Sequence, residues 1–230
     1  IVDEAFANGS HDNLTCQIVR ADDPGKPDEE TYLKRLSALP FPPDLAPGME
    51  FEGYRIVREI HASNRTQVYL ASEIASGIQV VLKTPSVNFD DEPAYIEMFT
   101  REEWVGRIIN SPHVLKVLQP TQRRKTLFYV TEYIEGQTLR QWMNDNPNPD
   151  LQTVRDIVEQ ISIGMRAFHR KEVIHQDLKP DNILIDHDGT IHIIDLGSSR
   201  VPGLEEVASL IEKLSLLGNI DYIAPEYHLG

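Results

Sequence analysis

The feature that most constrains this chain is a set of polar residues bracketing one short hairpin. Residues 175–182 read His-Gln-Asp-Leu-Lys-Pro-Asp-Asn, and Asp195-Leu196-Gly197 follow after two apolar segments, Asn182–Ile185 and Ile191–Ile194. The segments are joined across Asp186-His187-Asp188-Gly189, where glycine supplies a residue able to take positive φ. Folding the hairpin back brings the amide oxygen of Asn182 toward the carboxylate of Asp195. Oxygen donors of this kind suit Mg²⁺, which usually keeps water and phosphate oxygens as its other ligands. Asp177 on the preceding loop can accept a proton from a hydroxyl. Lys179 can set a positive charge beside a transferring phosphoryl group. A base, a cation and a magnesium clamp are the parts that phosphoryl transfer requires.

Upstream, Arg55–Ile60, Gln67–Glu73 and Gln79–Lys83 are expected as strands, the last two joined through Ala75-Ser76-Gly77. A helix opened by Asp91-Glu92-Pro93 follows, with Ile96, Phe99, Val105 and Ile108 turned inward. Val114–Leu118 and Leu127–Ile134 read as two more strands. From about Leu151 to Arg170, Val154, Ile157, Val158, Ile161, Met165 and Phe168 form one helical stripe.

The run from His175 to Asn182, with Asp195-Leu196-Gly197, resembles the catalytic loop and metal-binding motif of eukaryotic-type protein kinases. Asn182 stands five residues after Asp177 and Asp195 eighteen after it, as in that family. Ala224-Pro225-Glu226 resembles the motif closing the activation segment, and Val80-Val81-Leu82-Lys83 the strand bearing the phosphate-gripping lysine. Glu102 falls where the paired glutamate of the family belongs. Lys179-Pro180 is similar to the Ser/Thr version of the loop. The resemblance covers roughly Tyr54–Gly230. It implies an α+β, bilobal fold: a five-stranded antiparallel N-lobe with one helix, and a mainly helical C-lobe. It implies a protein Ser/Thr kinase using ATP and Mg²⁺, with Asp177, Lys179, Lys83 and Glu102 as catalytic residues and Asn182 and Asp195 on the metal. It also implies nucleotide contacts by Ile60, Val68, Val81, Lys83, Glu132, Ile134 and Leu184, with Thr131 as gatekeeper. For each apolar residue in that set, ordinary core packing is the competing reading.

The sequence departs from the family in several places. His61-Ala62-Ser63-Asn64-Arg65-Thr66 stands where a glycine-rich phosphate loop is expected, and glycines let backbone amides approach phosphate closely. Either nucleotide affinity falls, or Ser63, Asn64 and Arg65 meet phosphate through side chains; Arg65 also fits a solvated turn. Gln176 replaces the arginine that grips a phosphorylated activation loop, and Asn219 replaces a threonine before Ala224. Gly106 stands one turn past Glu102, where the family buries a bulky residue. A nucleotide-binding pseudokinase and a small-molecule kinase are the rival readings.

Residues 21–50 hold six prolines and seven acidic side chains and are expected to form a stiffened linker, with a short helix around Glu29–Leu39 as an option. Before it, Gly9-Ser10-His11-Asp12-Asn13-Leu14-Thr15 resembles the last motif of PPM-type metal-dependent phosphatases. There Asp12 matches a ligand of Mn²⁺ or Mg²⁺, its partner carboxylates lying outside this sequence; a turn before a strand is the plainer alternative. The resulting layout is a phosphatase tail over 1–20, a linker over 21–50 and a kinase domain over 51–230. Its lobes divide near 135, and supporting C-lobe helices are expected beyond the last residue.

With 22 basic against 36 acidic residues the formal net charge is −14, which argues against nucleic acid and anionic lipid as partners. Protein substrates with Ser/Thr hydroxyls and ATP are the expected partners. The lone Cys16 excludes a disulfide scaffold and a thiolate zinc site and suits a reducing compartment. No apolar run approaches the ~18 residues of a membrane span. A cytoplasmic setting is expected, with an anchor beyond the C-terminus left open.

Overall fold

The computed structural model describes residues 8–9, 29–89, 92–197, 199 and 222. Asp12 and Ala224-Pro225-Glu226 lie outside the described residues.

The N-terminal lobe is an antiparallel sheet of β1 (Glu50–Phe51), β2 (Tyr54–Ala62), β3 (Thr66–Glu73), β4 (Gln79–Pro85), β5 (Val117–Leu118) and β6 (Tyr129–Glu132), in the order β1-β2-β3-β4-β6-β5. The five anticipated strands each have a counterpart, although Val114–Leu118 is reduced to Val117–Leu118 and Leu127–Ile134 to Tyr129–Glu132, and the two-residue β1 adds a sixth at the edge. Alternation sorts β4: Val80 and Leu82 are buried in a core with Phe51, Tyr54, Ile56, Tyr69, Phe128 and Val130. Val81 and Lys83, two residues apart, therefore share the opposite face. Register places Val68 and Tyr129 on either side of Lys83, and Leu70 and Thr131 on either side of Val81.

Within the expected linker, the optional helix over Glu29–Leu39 is present as Glu29–Ser37, and residues 29–50 pack on the lobe. Helix α1 (Glu29–Ser37) buries Leu36 in a cluster with Phe99, Leu127 and Tyr129, against which Tyr32, Leu39 and Phe41 also pack. The Pro40 carbonyl accepts from Leu127 N at 2.8 Å, and Leu45 joins the sheet core. Prolines here hold an extended strap in place because apolar residues between them find a surface to cover. Helix α2 (Pro93–Ile108) packs against α1 and β5, starting at proline as anticipated. Phe99 and Val105 are buried on it, and so are Glu102 and Glu103.

The second lobe holds a three-stranded sheet of β7 (Gly136–Thr138), β8 (Ile183–Asp186) and β9 (Ile191–Ile193), with helices α3 (Leu139–Asp145) and α4 (Leu151–His169). A reciprocal capping box between Thr138 and Gln141 starts α3. Asp150 caps α4 by accepting from Thr153 N at 2.9 Å. The α4 stripe is only half buried: Phe168 is enclosed, while Val154 and Val158 are 37% and 54% exposed. Among the described residues no helix is long and apolar enough to cross a membrane.

Candidate active site

The β8–β9 hairpin is built by its turn. Gly189 takes φ +79°, and the Asp186 carboxylate accepts from Asp188 N and Thr190 N at 2.9 and 2.8 Å. The pairing brings Ile194 N to the Asn182 carbonyl at 2.9 Å, so Asn182 and Asp195 leave the hairpin at the same end. Gln176 and Asp195 both adopt left-handed backbone, φ 63° and 62°, a costly conformation for such residues that tight surroundings must hold.

Asp177 sits in a dense polar knot. Its Oδ2 accepts from Lys179 Nζ and Asn182 Nδ2, both at 2.8 Å, and its backbone oxygen accepts from the same amide nitrogen at 2.9 Å. Asn182 is buried, and its nitrogen is committed to Asp177, so its amide oxygen is the atom left to accept or ligate. His175 supports the loop from below: it is 1% exposed, edge-on to Phe168 at 5.3 Å, and its Nδ1 accepts from Asp177 N at 3.4 Å. Burial depresses the His175 pKa, favouring the neutral ring that can accept this bond.

Lys83 Nζ lies 2.7 Å from Glu102 Oε1 on α2 and, across the interlobe cleft, 3.7 Å from Asp195 Oδ1. The Lys83 and Glu102 side chains are 17% and 6% exposed, whereas that of Asp195 is 45% exposed. Burial opposes the Lys83 charge, but Glu102 and Asp195 outweigh it and hold the ammonium above the usual lysine range. Burial pushes the Glu102 carboxyl up, with Lys83 restraining the rise. Burial also works against the Asp195 charge, yet Lys83 and the Gly197 amide hold its carboxyl below the usual carboxylate range. Glu102 Oε1 further accepts from Leu196 N at 3.3 Å, which ties α2 to the segment carrying Asp195.

Two tyrosines belong to this region although sequence reasoning passed over them. Tyr129 is buried beside Glu102, with its ring centroid 5.9 Å from Lys83 Nζ. The strand register pairing it with Lys83 was the available signal. Tyr95 donates its hydroxyl to the Arg65 carbonyl, which also accepts from Ser86 N at 2.8 Å. Nothing in the sequence pattern marked that contact.

The glycine-poor loop is a tight turn closed on itself. Ser63 N donates to the Thr66 carbonyl at 2.9 Å, while Ser63 Oγ accepts from Arg65 N and Thr66 N at 3.3 and 3.0 Å. Ser63 is thus engaged within the turn. Of the remaining expected nucleotide contacts, Ile60 is 41% exposed on β2, and Val68, Val81, Glu132, Ile134 and Leu184 are partly buried. Leu184 faces away from Ile183 and Ile185, which pack into the second lobe.

The donor set fits a hard divalent cation: one carboxylate open to the cleft and one amide oxygen, with room for ligands from a substrate. Among the described residues no group of three or more His, Cys, Asp or Glu side chains is arranged to hold a metal. Such a two-donor arrangement is the kind Mg²⁺ uses when phosphate oxygens complete its shell.

A curled antiparallel lobe, a helix-rich lobe and a lysine–carboxylate pair across the cleft define a protein-kinase-like fold. The chain belongs to the protein kinase domain family, which matches residues 54–228. It is 28% identical over 177 residues to serine/threonine-protein kinase PrkC of Bacillus subtilis, covering 77% of this chain and 27% of that protein. It is 32% identical over 184 residues to probable serine/threonine-protein kinase pknA2 of Bifidobacterium longum, covering 78% and 24%. For serine/threonine-protein kinase PknA of Mycobacterium tuberculosis the values are 28% over 182 residues, 77% and 42%. The matched segment therefore spans between about a quarter and two-fifths of these relatives.

Proposed function

We propose that the protein carrying this chain transfers the γ-phosphoryl group of ATP to Ser or Thr hydroxyls of protein substrates. The observation that carries this reading is the Lys83 ammonium held 2.7 Å from Glu102 and 3.7 Å from Asp195. Lys83 grips the α/β-phosphates while Glu102 fixes its direction. The substrate oxygen bonds to the γ-phosphorus, the bond from γ-phosphorus to the bridging oxygen breaks, and ADP leaves with that electron pair. Asp177 orients the hydroxyl and takes its proton; Lys179 offsets the charge spreading over the phosphoryl oxygens. Asn182 and Asp195 would hold Mg²⁺, which supplies charge neutralisation at the phosphates. Ile60, Val68, Val81 and Leu184 enclose the adenine, whose edge meets the Glu132 carbonyl and the Ile134 amide. The relatives' names support the Ser/Thr class, and a cytoplasmic setting accompanies it.

The turn at Ser63 favours a second reading, nucleotide binding without turnover, because two of its amides are spent on the serine hydroxyl. In that case the domain regulates an attached PPM-type phosphatase, of which Asp12 would be a Mn²⁺ or Mg²⁺ ligand. Labelled ATP supplied to the intact protein separates the two. Transfer to protein that is lost in Lys83→Met and Asp177→Asn supports the kinase. ATP binding abolished by Lys83→Met with no transfer in the wild type supports the regulator. Transfer persisting in both variants overturns the residue assignments.

A further inference from the structure

We infer that Tyr32, on a helix preceding the family-matched segment, is a positioning residue for the Lys83–Glu102 pair and acts through the buried carboxylate of Glu103. The role of the pair at phosphate rests on the function proposed above; the geometry of the linkage does not.

Glu103 neighbours Glu102 on α2 but points about 100° away around the helix axis. It is 1% exposed, a costly place for a carboxylate without partners. Its partners come from three directions. Tyr32 of α1 donates its hydroxyl to Oε1 at 2.7 Å. Arg107, one turn along α2, donates to Oε1 at 3.0 Å. Arg124, from the segment before β6, reaches Oε2 at 2.8 Å and also donates to the Phe128 carbonyl. The Tyr32 ring is itself clamped, 5.3 Å from the Trp104 ring and 5.3 Å from the Arg107 guanidinium. Leu36, one turn further along α1, is buried against Phe99 of α2. Burial, with the Glu103 charge next in importance, pushes the Tyr32 pKa up, so the hydroxyl stays a donor.

This arrangement fixes the rotation of α2 about its own axis. Side-chain ends lie roughly 5–6 Å from a helix axis, so a 20° roll moves them by about 2 Å. A shift of that size takes the 2.7 Å Lys83–Glu102 contact out of hydrogen-bonding range. The same roll breaks the bond from Leu196 N to Glu102, which supplies a reporter independent of nucleotide.

The test compares Tyr32→Ala and Tyr32→Phe in the intact protein, with Leu139→Ala as a control for lost stability in the other lobe. Three quantities are measured: melting temperature, the dissociation constant of a fluorescent ATP analogue, and hydrogen exchange of the peptide containing Leu196. The expected result is ATP affinity weakened by about 2- to 30-fold in Tyr32→Ala, the range for substitutions that act through a coupled element. Tyr32→Phe, which keeps the ring contacts, falls between it and the wild type. Leu196 exchange accelerates in the same order. Leu139→Ala melts earlier while affinity and Leu196 exchange stay at wild-type values. Tyr32 variants that melt earlier but leave both readouts unmoved overturn the inference. If Lys83→Met retains full ATP affinity while the Tyr32 variants still accelerate Leu196 exchange, the positioning stands and the phosphate role of Lys83 falls.

Discussion

Gly106 offers a quantitative check on how closely α2 sits against the sheet. A Cβ built on it would lie 2.2 Å from Val117 Cγ2 and 3.2 Å from Leu196 Cδ1. The leucine contact can be relieved by a rotamer change. The valine contact cannot, because a β-branched side chain is stiff at χ1 and its methyl is attached directly at the branch. In a free helix, glycine to alanine gains about 1 kcal/mol. Here the inserted methyl overpacks the contact, which costs about 1–3 kcal/mol. Gly106→Ala is therefore expected to be neutral or destabilising by up to about 2 kcal/mol, read from urea unfolding midpoints. Val117→Ala removes the offending methyl, so in that background Gly106→Ala should regain the helical benefit. The double-mutant cycle should give a favourable coupling of about 1–3 kcal/mol. A Gly106→Ala protein stabilised by the full helical increment, with no coupling to Val117, would refute the close approach of α2 to β5.

Two further perturbations probe the electrostatics. Arg124→Met strips one partner from buried Glu103 and should destabilise by about 3 kcal/mol, whereas Arg55→Met breaks a pair whose side chains are each 59% exposed and should cost less than about 1 kcal/mol; chemical denaturation of both decides it. His175 has a folded-state pKa below its unfolded value, so the unfolded chain binds more protons between the two values. Its contribution is present above the unfolded pKa, near 6.5, and is lost as pH falls through the folded one; His175→Phe should flatten the pH dependence of stability below pH 6.5 by up to about 1.4 kcal/mol per pH unit, and an unchanged slope would contradict it.

Much of the fold was legible because its signals are local. The Pro93 helix start, the apolar stripe of α4 and the Gly189 turn each act within a few residues, and the long strands alternate visibly. Helix α3 was missed although Thr138 and Gln141 spell a capping box, since seven residues carry too little apolar periodicity to draw attention. The packing of residues 29–50 escaped notice for a different reason, although a helix over Glu29–Leu39 was an option. Composition reports local stiffness, but whether Leu36 and Leu45 are covered depends on surfaces supplied by α2 and the sheet. The half-exposed α4 stripe is the converse: Val154 and Val158 keep helical spacing, and spacing alone names a face without naming what lies against it. At the candidate site, residue types on one hairpin singled out Asp177, Lys179, Asn182 and Asp195, the family resemblance pointed to Lys83 and Glu102, and the structure sets Lys83 beside Glu102 and Asp195. The tyrosines around them were invisible because their partners are tens of residues away: Tyr32 meets Glu103 across 71 positions, and Tyr95 meets Arg65 across 30.

These long-range contacts converge on α2. Glu102 reaches the lysine of β4 and the amide of Leu196, Tyr95 holds the carbonyl of Arg65 in the glycine-poor turn, and Gly106 lets β5 approach. On the outer side, Glu103 gathers Tyr32 and Arg124. One helix therefore touches the turn at Ser63, Lys83 and the segment carrying Asp195. A glycine-rich loop can adapt to phosphate by moving its own backbone; the turn at Ser63 has the amides of Ser63, Arg65 and Thr66 engaged and is tied to α2 through Tyr95. With that freedom spent, adjustment at the cleft has to come from motion of α2 as a body. The contacts on its outer face, and α1 foremost among them, are then the physical means by which such motion is restrained.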